Sequence, residues 1–318
     1  MDDVLEPFRL TGRVAIVTGA GRGIGAAVAR TYARAGADVA LTARTVEQLD
    51  EVADDVRATG RRPVVVPGDV NDTDLLRELV ERASSELGRV DVVVNNAGGT
   101  APRPLLDTSE GYLERAFHFN VTTAFALTKH AVPRMLESGG GAVVNISSAI
   151  GRLRDRGFVA YGTAKAALSH MTRLMAADLA PRIRVNGVAV GSVATSALGT
   201  VLTNETLHDE MVRRTPLRRL GRPEDIALCA LSRVAGVELR HRQAVRGRRR
   251  ARGAEPRTRS AGRVSVCLKA SGREAGIPPS SEPWPSGLAP TAPRAATSRA
   301  CACRAHALRL PPRAAAEA

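Results

Sequence analysis

No stretch of this sequence reaches the roughly 18 consecutive apolar residues of a membrane-spanning helix, which excludes a protein anchored by such spans. The start, Met1-Asp2-Asp3, lacks the basic segment and apolar run of a secretory signal, so the expectation is a soluble, cytoplasmic protein. Cysteine is scarce, and only Cys229 of the four precedes position 231; it sits in an apolar run and reads as a reduced thiol packed as a small hydrophobe. No disulfide framework follows from such spacing. Cys301, Cys303 and His306 match no common zinc pattern and lack a fourth ligand, so no metal site is expected. Phe and Tyr are few, and all eight lie before position 231.

Charge divides the chain at the same place. The formal net charge is +14, yet residues 1–230 hold 28 Lys+Arg against 27 Asp+Glu, a net of +1, while 231–318 hold 18 against 5, a net of +13. Half of the 18 prolines also fall in the second part. Two compositions are joined, and the domain division expected is 1–231 for a folded catalytic domain and 232–318 for an Arg-, Ala- and Pro-rich tail without regular structure.

Within the first part, short β-branched runs alternate with longer amphipathic stretches, which predicts a parallel sheet with helices on both faces. Strands are expected at Val14–Thr18, Val39–Thr42, Val64–Val66, Val92–Val94, Val143–Ile146 and Val185–Val188. Helices are expected at 23–35, 46–58, 72–87, 109–136 and 158–179, with shorter ones near 204–213 and 223–231. The fold class is α/β: a doubly wound Rossmann sheet of about six strands.

The segment Thr18-Gly-Ala-Gly-Arg-Gly-Ile-Gly25 closes the first strand and opens the first helix. A glycine-rich turn there brings backbone N–H groups against a pyrophosphate, which makes Gly19, Arg22, Gly23, Ile24 and Gly25 candidate dinucleotide ligands. Tight strand–helix packing alone would also favour these glycines. The second strand ends Leu41-Thr42-Ala43-Arg44 with no carboxylate to accept a ribose hydroxyl, while Arg44 and Arg22 offer guanidinium groups to a 2′-phosphate. NADP is therefore expected over NAD, although a solvated Arg44 would look the same. Asp69 and Val70 could hold the adenine amino group through a carboxylate and a backbone N–H, but Asp at a strand end is also a frequent helix cap.

Tyr161-Gly-Thr-Ala-Lys165 puts a phenol and an ammonium one helical turn apart. A nearby cation favours the phenolate and lowers the Tyr pKa toward working pH, so Tyr161 is the candidate acid and base for a carbonyl oxygen. Such a pair is also ordinary on a solvated helix face. Ser148 closes a strand and can donate to the same oxygen; by alternation, only one of Ser147 and Ser148 should face a substrate. Asn95-Asn-Ala-Gly98 follows the fourth strand, with Asn96, Ala97 and Gly98 beside the cofactor and the amides expected to tie adjacent strands. Asn120, in the long apolar helix, needs partners: backbone groups, or a water that feeds protons to Lys165.

Together these residues resemble the short-chain dehydrogenase/reductase family, whose order and spacing they keep over about residues 8–231. The likeness continues through Arg184-Val-Asn-Gly, Gly191-Ser-Val-Ala-Thr195 and Leu220-Gly-Arg-Pro-Glu-Asp-Ile226. It implies that Asn120, Ser148, Tyr161 and Lys165 form a catalytic tetrad, that Tyr161 and Lys165 also bind the nicotinamide ribose, and that Gly191, Val193 and Thr195 flank the carboxamide. Val190 stands where the family usually has Pro, which implies a looser loop. The stretch from Ser169 to Arg219 is similar to a 7α-hydroxysteroid dehydrogenase-like subgroup. The family also implies a homodimer through the long helices at 109–136 and 158–179.

The family's seventh strand and its Thr-Gly…Asp-Gly-Gly ending do not follow Leu231. Read one nucleotide later with suitable codons, Ser232 to Arg250 would encode Val-Thr-Gly and Glu-Val-Asp-Gly-Gly at the family's spacing. The tail is thus expected to be out-of-frame translation of a GC-rich gene, with the seventh strand missing and tetramers not expected. The rival reading is a cationic arm for nucleic acid, because five arginines fall between Arg246 and Arg252. No aromatic residue interleaves that charge, so no nucleic-acid partner is expected. The function expected is interconversion of a carbonyl and a secondary alcohol by hydride transfer with NAD(P); the alternative is a cofactor-binding, catalytically impaired remnant. Steroid, acyl thioester and simple ketone remain open as substrates.

Overall fold

The computed structural model describes residues 5–199 and 203–234, together with the strand Arg263–Cys267. Each Val-rich run becomes a strand: β1 (Val14–Thr18), β2 (Asp38–Thr42), β3 (Pro63–Val65), β4 (Val92–Asn95), β5 (Gly141–Ser148) and β6 (Ile183–Val190). The intervening helices are α1 (Gly23–Arg34), α2 (Val46–Ala58), α3 (Thr73–Leu87), α4 (Glu110–Phe117), α5 (Thr123–Glu137), α6 (Val159–Leu179), α7 (Glu205–Arg214) and α8 (Pro223–Val234). All strand pairs are parallel, in the order β3-β2-β1-β4-β5-β6, and the order reverses between β1 and β4. That reversal opens a crevice beyond the carboxyl ends of the strands, where doubly wound sheets bind ligands.

The period of two along each strand sorts the core into two layers. Ala15, Val17, Val92, Val94 and Val144 pack with Tyr32 of α1, Leu49 of α2 and Ile226 of α8. Val14, Ile16, Val93, Val143 and Val185 face the other way, toward Leu79 of α3 and Leu127 and Met135 of α5. Cys229 is a half-buried thiol packed against the first layer, as its apolar run suggested. The end of α8 is closed by β6: Arg184 donates to the carbonyls of Arg233 and Val234, and Asn186 to that of Arg233. A cation at a helix C-terminus also complements its dipole.

Three details differ from the sequence reading. β5 and β6 run two residues further at each end and pair from Gly141↔Ile183 to Ser148↔Val190, which carries Ser148 into the ladder. The helix expected over 109–136 is broken by a π-helical turn at His118–Thr122, which hydrophobic periodicity does not reveal. The expected six-stranded parallel sheet is present, and its edge beside β6 carries one further short segment from the part expected to lack regular structure. A strand β7 (Arg263–Cys267) pairs with β6 in parallel, from Asn186↔Arg263 to Val190↔Cys267. Alternating valines give Arg-Val-Ser-Val-Cys a β-compatible pattern, and an uncovered edge offers a row of unpaired backbone groups to any such segment. The arginine run Arg246–Arg252 and the Cys301, Cys303 and His306 group lie outside the described residues. Among the described residues no helix is long and apolar enough to cross a membrane, and no group of three or more His, Cys, Asp or Glu side chains could hold a metal ion.

Candidate active site

The crevice begins at the glycine turn. At Gly25 a Cβ would fall onto the carbonyl oxygen of Gly19 and 2.6 Å from Asn96 Nδ2, so only glycine lets α1 seat this closely. Arg22, the N-cap, is extended and places no side-chain acceptor over the first turn. The opening N–H groups at Gly23, Ile24 and Gly25 are those a helix leaves for an anion. Thr18 Oγ1 accepts from the backbone N–H of Asn96 and Ala97, both at 3.0 Å, and Asn96 Nδ2 donates back to Thr18 O at 2.9 Å and Gly19 O at 3.2 Å. The loop after β4 is thereby locked to the turn after β1. A cradle that a single methyl group would fill, with a helix N-terminus open behind it, fits the pyrophosphate of a dinucleotide.

The other candidate ligands fall around this cradle. A Cβ on Gly21 would touch Ala43 and Gln48, so the turn abuts the end of β2, and the exposed Arg22 and Arg44 each adjoin that contact in sequence. Asp69 Oδ1 accepts from both the backbone and side-chain nitrogens of Asn71 at 2.9 Å, while the cap of α3 is Asp72. One carboxylate oxygen of Asp69 is thus held in its own turn, and Val70 beside it is buried. After β6, Gly191 is exposed and Val193 is bridged to Gly221. Thr195 reaches back to the glycine turn, its Cγ2 being 3.4 Å from where a Cβ of Gly23 would sit.

The four residues of the expected tetrad converge at the ends of β4 and β5. Lys165, buried on α6, donates from Nζ to Ile146 O at 2.9 Å, and its ammonium faces the Tyr161 ring 5.7 Å from the centroid. Burial pushes the Lys165 amine down to about 8. Ser148 stands near enough to the Tyr161 phenol to favour its ionised form. Its Oγ also lies 3.5 Å from Val190 O and accepts from Ile150 N at 3.3 Å. Burial raises the Tyr161 pKa, and the Ser148 hydrogen bond opposes that rise. The expectation of a Tyr pKa lowered by Lys165 is therefore corrected: removing the phenolate from water outweighs the Ser148 hydrogen bond, the one influence that lowers it.

Asn120 sits in the π-helical turn rather than in a regular helix. Its Nδ2 donates to Ala116 O at 2.8 Å, Thr100 Oγ1 at 3.1 Å and Gly99 O at 3.2 Å, and its Oδ1 accepts from Gly99 N at 2.9 Å. Of the two uses foreseen for it, the backbone one is present. Gly98 makes the convergence possible, since a Cβ there would lie 2.8 Å from Asn120 Oδ1 and 2.9 Å from Lys165 Nζ.

Ser147 and Ser148 divide as alternation requires. Ser147 Oγ is buried against α6, 3.0 Å from Lys165 O and 2.7 Å from Ser169 Oγ. Ser169 is a supporting residue the sequence reading passed over; its spacing of four from Lys165 was the available signal. Behind the site, the amides expected to tie adjacent strands do so, extended by hydroxyls of the helices. Asn95 Nδ2 donates to Asn145 Oδ1 at 2.8 Å and to Thr128 Oγ1 at 3.0 Å, and Asn145 Nδ2 to Thr172 Oγ1 at 2.9 Å. These side chains tie β4, β5, α5 and α6 together with their polar groups satisfied.

Comparison with known proteins agrees with this geometry. The short chain dehydrogenase family profile matches residues 13–206. An uncharacterized oxidoreductase of Mycobacterium tuberculosis is 55% identical over 229 residues, 72% of this chain and 87% of the relative. A 7α-hydroxysteroid dehydrogenase structure complexed with NADH and 7-oxo glycochenodeoxycholic acid superposes with a TM-score of 0.70 at 38% identity, covering 74% of this chain and 92% of the other. A structure named as an NAD(P)-dependent gluconate 5-dehydrogenase of Beutenbergia cavernae, with NADP bound at low occupancy, gives 0.70 at 32% identity over 82% and 97%.

Proposed function

This chain belongs to the short-chain dehydrogenase family and is an oxidoreductase of CH–OH groups that uses a nicotinamide dinucleotide, and we propose that Tyr161 is its proton donor and acceptor. The observation that carries the proposal is the meeting of the Tyr161 phenol, the Ser148 hydroxyl and the Lys165 ammonium beside the glycine cradle. A reduced nicotinamide held by these residues would supply the hydride for the carbonyl carbon. Ser148 donates a hydrogen bond to the carbonyl oxygen and orients it. Tyr161, kept protonated by its raised pKa, gives its proton to that oxygen as negative charge develops, and the alcohol forms. The phenolate left behind is stabilised by Ser148 and by the Lys165 ammonium over its ring. Asn120 holds the loop at Gly99 and Thr100 against the π-helical turn.

The residues assigned to the dinucleotide are the glycine turn with Ile24 for the pyrophosphate, Asn96 to Gly98 and Lys165 for the ribose side, and Gly191, Val193 and Thr195 for the carboxamide. NADP is assigned over NAD because Arg22 and Arg44 border the end of β2, where no carboxylate stands. Asp69 serves the adenine amino group through the carboxylate oxygen that Asn71 leaves open, and Val70 serves it through its backbone N–H. Half-exposed apolar side chains at Leu113 and Phe117 of α4 and Phe125 of α5 support a homodimer along these helices. Sedimentation of the purified protein as a monomer would remove that assignment.

A second reading is favoured by the unmatched tail. The Mycobacterium tuberculosis relative leaves more than a quarter of this chain unaligned while 87% of the relative is covered. On this reading residues 232–318 are out-of-frame translation, and the chain binds the dinucleotide without turnover because its C-terminal part is replaced. Purified protein of confirmed intact mass, assayed with small ketones and both reduced cofactors, separates the two. Carbonyl-dependent NADPH oxidation supports the enzyme; fluorescence-detected nucleotide binding without oxidation selects the remnant.

A further inference from the structure

Outside the catalytic group, the charge pattern around the crevice is uneven. Several arginines of the domain are paired with carboxylates, among them Arg30 with Asp55, Arg62 with Asp38, Arg82 with Glu86, Arg134 with Glu137 and Arg214 with Glu210. Arg103, Arg152, Arg154 and Arg156 are exposed, and none forms an ion pair among the described residues. All four lie on two loops, one leaving β4 and one leaving β5, adjacent parallel strands. The second loop is bracketed by Ser148 and Tyr161, so it rims the site by construction.

The two loops are joined. Arg103 N donates to Gly157 O at 2.8 Å, and a Cβ on Gly157 would meet Pro102 at 3.3 Å. Arg156 therefore starts one residue, about 3.8 Å of chain, from the bond that holds Arg103. The Arg103 guanidinium is itself positioned, stacked 4.2 Å over the Tyr112 ring, whose hydroxyl donates to Ala101 O at 2.7 Å. Asp155, the one carboxylate between Ser148 and Tyr161, accepts from the Arg156 backbone N–H at 2.7 Å. Exposed leucines sit among these cations: Leu105 and Leu106 on the first loop, Leu153 on the second.

We propose that Arg103 and Arg156, with Arg152 and Arg154 beside them, receive a carboxylate carried on an apolar ketone or secondary alcohol. The substrate class is then an amphipathic oxo- or hydroxy-acid, its body on the leucines and its charge on the rim. This rests on the oxidoreductase reading of the same site. Guanidinium forks pair with carboxylates bidentately, and against four arginines the two loops set one carboxylate between Ser148 and Tyr161, Asp155, whose Oδ1 is engaged by the Arg156 backbone N–H.

The test compares 5-oxohexanoate and 9-oxodecanoate, each with its own carboxamide, as substrates with NADPH. At least one acid is expected to show a KM about tenfold below its amide at low salt, shrinking as added salt shortens the Debye length. In Arg103→Gln/Arg156→Gln the acid-to-amide ratio should fall to near one, whereas Arg103→Lys/Arg156→Lys, which keeps the charge, should retain a preference. Acids no better than their amides in the unaltered protein, or a preference that survives the Gln pair, would overturn the proposal. If no ketone turns over, the oxidoreductase reading fails separately, and calorimetric titration of the same acids and amides decides the rim: tighter acid binding keeps it, equal binding sinks it.

Discussion

Lys165 Nζ is hydrogen-bonded to the carbonyl oxygen of Ile146, two residues before Ser148 on the same strand. The buried cation of α6 is thus fastened to the strand that carries the candidate hydroxyl, and motion of one element carries the other. This anchoring also fixes the direction of several measurable responses.

Burial brings the Lys165 amine from its ordinary 10.5 down to about 8. Between those values the unfolded chain binds the proton more tightly, so stability rises with pH across the window, and the cost of the charge is fully present below about 8. Lys165→Met should abolish turnover yet melt at a higher temperature than the unaltered protein at neutral pH. That gap, on the order of a few kcal/mol less the lost Ile146 hydrogen bond, should narrow toward pH 10.5. Melting curves at several pH values check this; a variant less stable at neutral pH and unaffected by pH would contradict it.

Ketone reduction should decline as pH rises through about 8, because the ammonium that stabilises the departing phenolate is lost there while the Tyr161 pKa, raised by burial, keeps the phenol itself protonated. A rate that climbs through this range would exclude Lys165 from the role assigned to it.

Tyr161→Phe keeps the ring under Lys165 and removes only the hydroxyl. Turnover is expected to fall by about 10²–10⁴-fold, the usual range for a lost general acid. Binding of NADPH, followed by fluorescence, should change little, and full activity in the variant would end the assignment.

At Gly25 the obstruction to a side chain is the Gly19 backbone and Asn96, neither of which moves without disturbing the turn. Gly25→Ala should weaken NADPH binding at least tenfold and lower the melting temperature by several degrees, in line with about 1–3 kcal/mol for overpacking. Titration and a melt of one sample read both effects.

Arg44→Asp puts a carboxylate where the second strand ends. NADPH should bind about tenfold or more weakly while NADH binding holds or improves, because a 2′-phosphate meets repulsion and a 2′-hydroxyl gains an acceptor. Equal losses for both nucleotides would show that Arg44 acts on the fold and not on the phosphate.

Much of this architecture was legible in the sequence because its signals are local. Runs such as Val92–Val94 are continuous in β-branched residues, and a strand buried on both faces requires that. The glycine turn and the Tyr161–Lys165 spacing likewise lie within a few residues. What escaped depends on partners far along the chain. The π-helical turn at Asn120 follows from bonds to Gly99 and Thr100, about twenty residues away. Asp69 could be weighed as ligand or cap, but only the fold ties one of its oxygens to Asn71 and gives the cap to Asp72. The direction of the Tyr161 pKa turned on how far the fold withdraws the phenol from water, which residue types at a spacing of four do not encode. β7 was missed for another reason: a five-residue edge strand gains its backbone partners from β6, and nothing in its flanks announces it.

The α-carbon of Gly98 sits where three segments of the chain press together, with an amide oxygen and an amine each at the distance a methyl group would claim. The geometry around Lys165 is thus held by exclusion as much as by attraction. Replacement by alanine would act as a wedge, forcing the ammonium away from the π-helical turn or the loop away from the sheet. The site's precision is written into the smallest side chain in it.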